Sequence, residues 1–200
     1  MTTKSEAAVR LERMLLPDTP DAIRELYLSF EEQARTREFG LLEEDLVVLD
    51  TETTGLSFRT SELIEIAAAR ISGRTIVDRY QTFVKPKRPI PPEISQLTGI
   101  EAIDVADAPD AVEAVEGLAE FVGGLPVIAH NAVFDRTFIE SVPGGGEVTD
   151  TWIDSLALSR IALPRLSTHR LADLAAAFGC TSVAHRAMAD VEALSGVRDA

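Results

Sequence analysis
The chain has 200 residues, 46% of them hydrophobic, with 33 acidic against 19 basic side chains and a net charge of −14. That suits one domain with an appendage and a sizeable core, while the lack of any apolar run of about 18 residues excludes a transmembrane helix. The start MTTKSEAAVRLERM has no apolar stretch and reads as no secretory signal, and the single cysteine, Cys180, excludes an internal disulfide and suits a reducing cytoplasm.

Residues 1–43 read as a helical extension. LERMLL and IRELYLSFEEQARTREF carry apolar residues at helical spacing, and PDTPD interrupts them, with Thr19 or Asp21 placed to cap the second helix. At residue 46 the pattern changes. LVVLD is a strand buried on both faces. LIEIAAARI (63–71) and TIVDRYQTFV (75–84) follow as strands across a short turn, which predicts an antiparallel three-strand meander. KPKRPIPP is neither helix nor central strand. EISQLTGI is a short helix ending at Gly99, and DAPDAVEAVEGLAEFVGG a longer one with Pro109 near its start. PVIAH (126–130) is a short buried strand. NAVFDRTFIESV is a helix that Asn131 is placed to cap, VTDT is a short strand, and WIDSLALSRIAL, HRLADLAAAFG and HRAMADVEALSGV are helical. Strands alternating with helices imply parallel crossovers. The expectation is an α/β mixed sheet, antiparallel on one side and parallel on the other. Sites in such sheets lie beyond the carboxyl ends of the parallel strands, where Asp50 and His130 fall.

The chemistry gathers there. Asp50 and Glu52, two apart on a strand, point the same way. Two carboxylates at close range repel, and a bound cation would turn that repulsion into attraction. Asp135 follows the strand that ends in His130, in the first turns of its helix, with Phe134 and Phe138 as anchors. His130 itself reads as a structural residue at the strand end. His185 and Asp190 are roughly 140° apart if both are helical, so they share a site only if His185 sits in the loop entering the helix. Gly55, in TTGL, permits close backbone approach to a ligand. The net charge argues mildly against a nucleic-acid partner, but metal-ligating carboxylates would count in that total. Lys85, Lys87 and Arg88 form the clearest basic cluster and read as a solvated loop, and His169 and Arg170 read equally as a phosphate contact or as a helix start.

DTETTG, HNAVFD and HRAMAD, in this order and at these separations, resemble the three motifs of the DEDDh 3′–5′ exonucleases. This is the DnaQ-like family that includes the proofreading epsilon subunit of bacterial DNA polymerase III. The resemblance covers roughly residues 45–196, and IPPEISQLTGI and DTWIDSLALSRIALP also resemble family segments. It implies a ribonuclease H-like fold over residues 44–200, with residues 1–43 as an N-terminal helical extension. Carried over by residue, it implies that Asp50, Glu52, Asp135 and Asp190 hold two divalent ions, Mg²⁺ or Mn²⁺, with His185 as general base. Thr53, Gly55, Leu56, Asn131 and Phe134 would receive the terminal nucleotide. The implied partner is the 3′ end of a nucleic acid, DNA favoured over RNA, with a DNA polymerase as a further partner and no membrane. Two other readings stay open: an RNA 3′ exonuclease of the same superfamily, and a non-catalytic module binding nucleic acid or polymerase.

Overall fold
The computed structural model describes residues 6–28, 45–73, 75–180 and 187–198. β1 (Leu46–Thr53), β2 (Leu63–Ser72) and β3 (Thr75–Phe83) form the antiparallel meander that the short turn predicts. β4 (Val127–Ala129) runs parallel to β1, and β5 (Trp152–Asp154) parallel to β4. The five-stranded order is β3-β2-β1-β4-β5. The chain therefore leaves β1 to build one side of the sheet and returns on its other side with β4. At such a reversal the carboxyl ends of the two parallel strands diverge, and the crevice between them is where ligands bind in open α/β sheets.

The helices are α1 (Glu6–Met14), α2 (Asp21–Leu28), α3 (Pro92–Thr98), α4 (Ala111–Val122), α5 (Ala132–Glu140), α6 (Ser155–Ala162), α7 (Leu171–Ala177) and α8 (Ala187–Arg198). Side chains alternate across the sheet, so each face has its own core. On one face Leu46, Val48, Ala67, Ala69 and Ile71 pack against Ala187, Val191 and Leu194 of α8. On the other, Val47, Leu49, Ile66 and Ala68 meet Val115 and Leu118 of α4 and Phe138 and Ile139 of α5. Small residues in the middle of β2 let the helices sit close. The same logic applies at Gly117 of α4, where a Cβ would lie 2.9 Å from the Tyr80 hydroxyl, itself donating to the Ala114 carbonyl at 2.7 Å.

α1 and α2 form a third core with α7: Leu11, Met14, Leu15 and Tyr27 bury against Leu163, Leu166, Leu174 and Ala177. Backbone bonds fix this packing, from Leu16 N to Arg165 O at 2.9 Å and from Ser167 N to Met14 O at 2.7 Å. An Arg165–Asp18 ion pair at 2.6 Å adds to it and holds the Asp18 carboxyl below its ordinary range. The helical reading of residues 29–43 lies outside the described residues.

Three local expectations are corrected. The strand read in VTDT lies further on, at Trp152–Asp154. Thr149 turns its hydroxyl onto the Leu125 carbonyl at 2.9 Å, and pairing with β4 starts from the Thr151 carbonyl. Asn131 precedes α5 but does not cap it: it stands in the left-handed region at φ 71° with no side-chain cap bond. Thr19 is buried with its hydroxyl unpartnered, so it does not cap α2.

Candidate active site
β1 carries Asp50 and Glu52 on the face that α8 covers, and α8 carries Asp190 to them. One carboxylate oxygen from each of the three lies within 4.8 Å of the others. The register of β1 against β2 shifts between Glu52 and Thr53, an irregularity of the kind that re-aims side chains where a strand meets a site. Up to that point Glu52 faces Glu65 of β2 as its direct cross-strand partner.

Asp135 approaches from the opposite face. It is 3% exposed, and its Oδ1 accepts a hydrogen bond from the Thr51 hydroxyl at 2.7 Å. Thr51 lies between Asp50 and Glu52 and points away from them, so Asp135 stands behind the strand end that carries the pair. Burial pushes its carboxyl up to about 7, against the pull of the Thr51 hydroxyl and of backbone hydrogen bonds, while Asp154 adds to the rise.

Asp50 keeps part of its surface in solvent, yet burial is the largest influence on its carboxyl and raises it well above the carboxylate range. Asp135, Asp190, Glu52 and Glu65 all push the same way. Four negative neighbours around a desolvated carboxyl disfavour charge unless a cation compensates. The all-oxygen donor set of Asp50, Glu52 and Asp190 fits a hard divalent cation such as Mg²⁺ or Mn²⁺.

Of the expected substrate-side residues, Phe134 packs against the α4/α5 core. Thr53 is buried and donates its hydroxyl to the Gly55 carbonyl at 2.7 Å. Thr54 and Glu62 close the loop with two hydrogen bonds, 2.8 and 2.9 Å. A Cβ on Gly55 would come within 2.8 Å of the Ser61 hydroxyl. Leu56 is 89% exposed at the loop tip. Phe134 is half-buried, 4.9 Å between ring centroids from Phe138. The Asn131 backbone N–H donates to Asp154 Oδ1 at 3.1 Å. His185 lies outside the described residues.

Sequence reasoning passed over three supports of this site. Thr51 is one. Glu65 is another: fully buried, it accepts from Gln81 Nε2 at 2.7 Å through Oε1, while its Oε2 has no hydrogen-bond partner. A glutamate inside an aliphatic run was the available signal. Asp154 is the third and caps α6, accepting from the backbone of Leu156 and Ala157. His130, just past β4, ties the corner: Nε2 lies 2.8 Å from the His169 carbonyl and Nδ1 3.0 Å from the Ser155 hydroxyl. A carbonyl only accepts, so the ring proton sits on Nε2. Burial lowers the His130 pKa, which keeps the ring neutral. Both nitrogens are engaged, in keeping with the structural role expected of it.

Comparison with known proteins agrees with this arrangement. The RNase T family model, described as Exonuclease, matches residues 47–197. The DNA polymerase III PolC-type protein of Caldanaerobacter subterraneus subsp. tengcongensis is 42% identical over 159 residues, 78% of this chain and 11% of that protein. The chain spans the same 11% of the PolC-type relative from Halalkalibacterium halodurans, at 37% identity. The DNA polymerase III subunit epsilon of Treponema pallidum is 35% identical over 147 residues, 70% of this chain and 68% of that subunit. Among solved structures, exonuclease X in complex with 5′ overhanging duplex DNA superposes with a TM-score of 0.62 at 25% identity, covering 77% of this chain and 89% of that one. E. coli exonuclease I in complex with a dT13 oligonucleotide gives 0.66 at 18% identity, covering 78% and 40%, a likeness of fold. The expected ribonuclease H-like sheet is therefore the fold found, and with three motif carboxylates drawn together at its edge the chain belongs to the DnaQ-like RNase T exonuclease family.

Proposed function
We propose that this chain is a 3′–5′ exonuclease that releases nucleoside 5′-monophosphates one at a time from the 3′ end of DNA. The observation that carries the reading is the meeting of Asp50, Glu52 and Asp190 within 4.8 Å at the β1 edge, with Asp135 held behind them by Thr51. DNA is favoured because relatives are DNA polymerase III proteins and a superposable exonuclease was solved in complex with DNA. The same relatives make a DNA polymerase the proposed partner and proofreading or repair the proposed setting.

A phosphodiester is anionic and repels hydroxide. Two bound divalent ions would generate the nucleophile and stabilise the charge that builds on the scissile phosphate and the leaving oxygen. Asp50, Glu52 and Asp190 are the residues that would hold them, with Asp135 completing the set. His185 is assigned as the base that takes the proton of the attacking water; its ordinary pKa near 6.5 suits that task. Leu56 offers an exposed apolar wedge, and Phe134, backed by Phe138, an aromatic surface for a base. Gly55 lets the backbone approach the terminal sugar, and Thr53 and Asn131 flank the pocket.

The deciding experiment is digestion of 5′-labelled single-stranded DNA and RNA of one sequence with Mg²⁺, Mn²⁺ or EDTA, beside an Asp50→Ala control. A ladder shortening from the 3′ end, metal-dependent, faster on DNA and absent in the control, is the expected result. A faster RNA ladder would replace the substrate, and no ladder on either polymer would remove the exonuclease reading.

A further inference from the structure
A groove of about 680 Å³ adjoins the carboxylate cluster, and Asp190 belongs to both. That volume lies within the range of ligand sites, roughly 300–1,000 Å³. One wall is α6 with Arg160; the other is the segment Ser167–Arg170 that leads into α7.

The charges in the groove are unbalanced in an informative way. Of the acidic side chains at or beside it, Asp190 is shared with the carboxylate cluster, and Asp173 and Asp154 are already satisfied. Asp173 accepts the Thr168 hydroxyl at 2.8 Å, and Asp154 accepts three backbone N–H groups. Arg160 and Arg170 are exposed, both line the groove, and neither enters an ion pair among the described residues. Two exposed guanidiniums lining one groove beside the carboxylate cluster can offer an anion charge-assisted hydrogen bonds. Arg160 is close enough to His130 to act on its ionisation, which puts the positive charge at the corner where β4 ends.

The wall is also rigid. The His169 carbonyl is held by His130 Nε2 at 2.8 Å, the His169 ring reaches the Leu163 carbonyl at 3.0 Å, and Ser167 N is bonded to Met14 O of α1. A pre-formed wall spares a ligand the cost of ordering it.

We infer that this groove is a second nucleic-acid subsite, in which Arg160 and Arg170 grip backbone phosphates of the strand on the 5′ side of the scissile bond. Direction follows from placement. Phe134 packs with the α4/α5 core, whereas the groove is lined by α6, the segment leading into α7, and Asp190 of α8. A strand whose terminal base meets Phe134 and whose scissile phosphate lies over Asp50 reaches the groove past Asp190, which lines both. The inference rests on the exonuclease reading for what occupies the carboxylates, and its test separates the two.

The probes are fluorescein-labelled dT2 and dT8, bound by the full chain in Ca²⁺ and followed by anisotropy from 50 to 300 mM salt. With Arg160→Gln/Arg170→Gln, dT8 binding is expected to weaken about tenfold. The slope of log Kd against log salt should fall by about 1.4, roughly 0.7 for each single-strand phosphate that is no longer neutralised. dT2, too short to reach the groove, should change less than about twofold. Arg160→Lys/Arg170→Lys should recover most of the slope. Unchanged dT8 affinity and slope in the Gln variant would overturn the subsite, as would equal losses on dT2 and dT8. In parallel, wild-type protein with Mn²⁺ is tested on the p-nitrophenyl ester of thymidine 5′-monophosphate, which has no 5′ strand. Turnover of the ester with unchanged dT8 binding removes the groove alone, and no turnover of ester or oligonucleotide removes the exonuclease reading.

Discussion

Thr51 donates its hydroxyl to Asp135 at 2.7 Å from inside the strand segment whose two neighbours, Asp50 and Glu52, face the other way. One residue thus couples the two faces of the sheet at the site. The strand's alternation makes this possible: every second residue faces α8, and Thr51 alone of the three meets α5.

Thr51→Val keeps the shape and removes the donor. Asp135 then remains buried with one bond fewer, a loss of about 1–3 kcal/mol. Urea denaturation at pH 7 should show that drop, and Thr51→Ser should recover part of it. A Val variant as stable as wild type would show that Asp135 does not depend on this bond.

Stability of the metal-free protein should fall as pH rises from about 4 to about 8. Asp135 stands at about 7 in the fold, above an unfolded value near 3.9. A carboxyl raised in this way binds its proton more tightly when folded, so the stability it lends is complete below about 4 and is lost as pH climbs through about 7. Asp50 is raised too and acts in the same direction. Thermal melts in EDTA should therefore give a lower Tm at pH 8 than at pH 5.5. Mg²⁺, on the proposal that it occupies the ionised cluster, should narrow the gap. A Tm in EDTA that rises across this range would contradict the assigned shifts.

Glu65→Gln should raise the Tm in EDTA and reduce the further rise on adding Mn²⁺. Glu65 buries a carboxylate with one oxygen unpartnered and faces Glu52 across the strands. Removing its charge relieves repulsion on Asp50, but it also removes part of the negative field that attracts a cation. Calorimetric titration with Mn²⁺ should give an affinity lower by about tenfold. Equal affinity and equal melting in both proteins would make Glu65 a bystander.

Leu15→Ala should cost about 2–5 kcal/mol as a buried leucine truncation, and its reach should extend beyond α1. Leu15 bridges Leu166, and the next bonds lead along 167–170 to the His169 carbonyl that His130 holds. Hydrogen exchange should show Ser167 and neighbouring amides losing protection in the variant while β1 and β2 keep theirs. Protection lost equally throughout would mean that α1 supports the whole fold rather than this wall.

Much of this was legible in sequence. Leu46–Leu49 announced a buried strand, the hairpin spacing announced β2 and β3, and three short motifs announced Asp50, Glu52 and Asp190 as companions. Two of the three misreadings, β5 and Asn131, share a cause: each depended on a partner distant in the chain. β5 is positioned by its parallel register with β4, Val127 against Trp152, which no local pattern in VTDT reveals. Asn131 looks like a helix cap but adopts a left-handed backbone, with its N–H bonded to Asp154. Glu65 lies in a strand buried on both faces over most of its length, so there was no alternation to say which way it points.

Asp190 comes from α8, far along the chain from Asp50 and Glu52, and it reaches them only when α8 lies across β1 and β2. During synthesis the first strands can pair long before that helix exists, since chains tend to fold from the N-terminus. The carboxylate cluster is then incomplete until α8 has been made. Made in this order, the cluster comes into being only when α8 packs over β1 and β2.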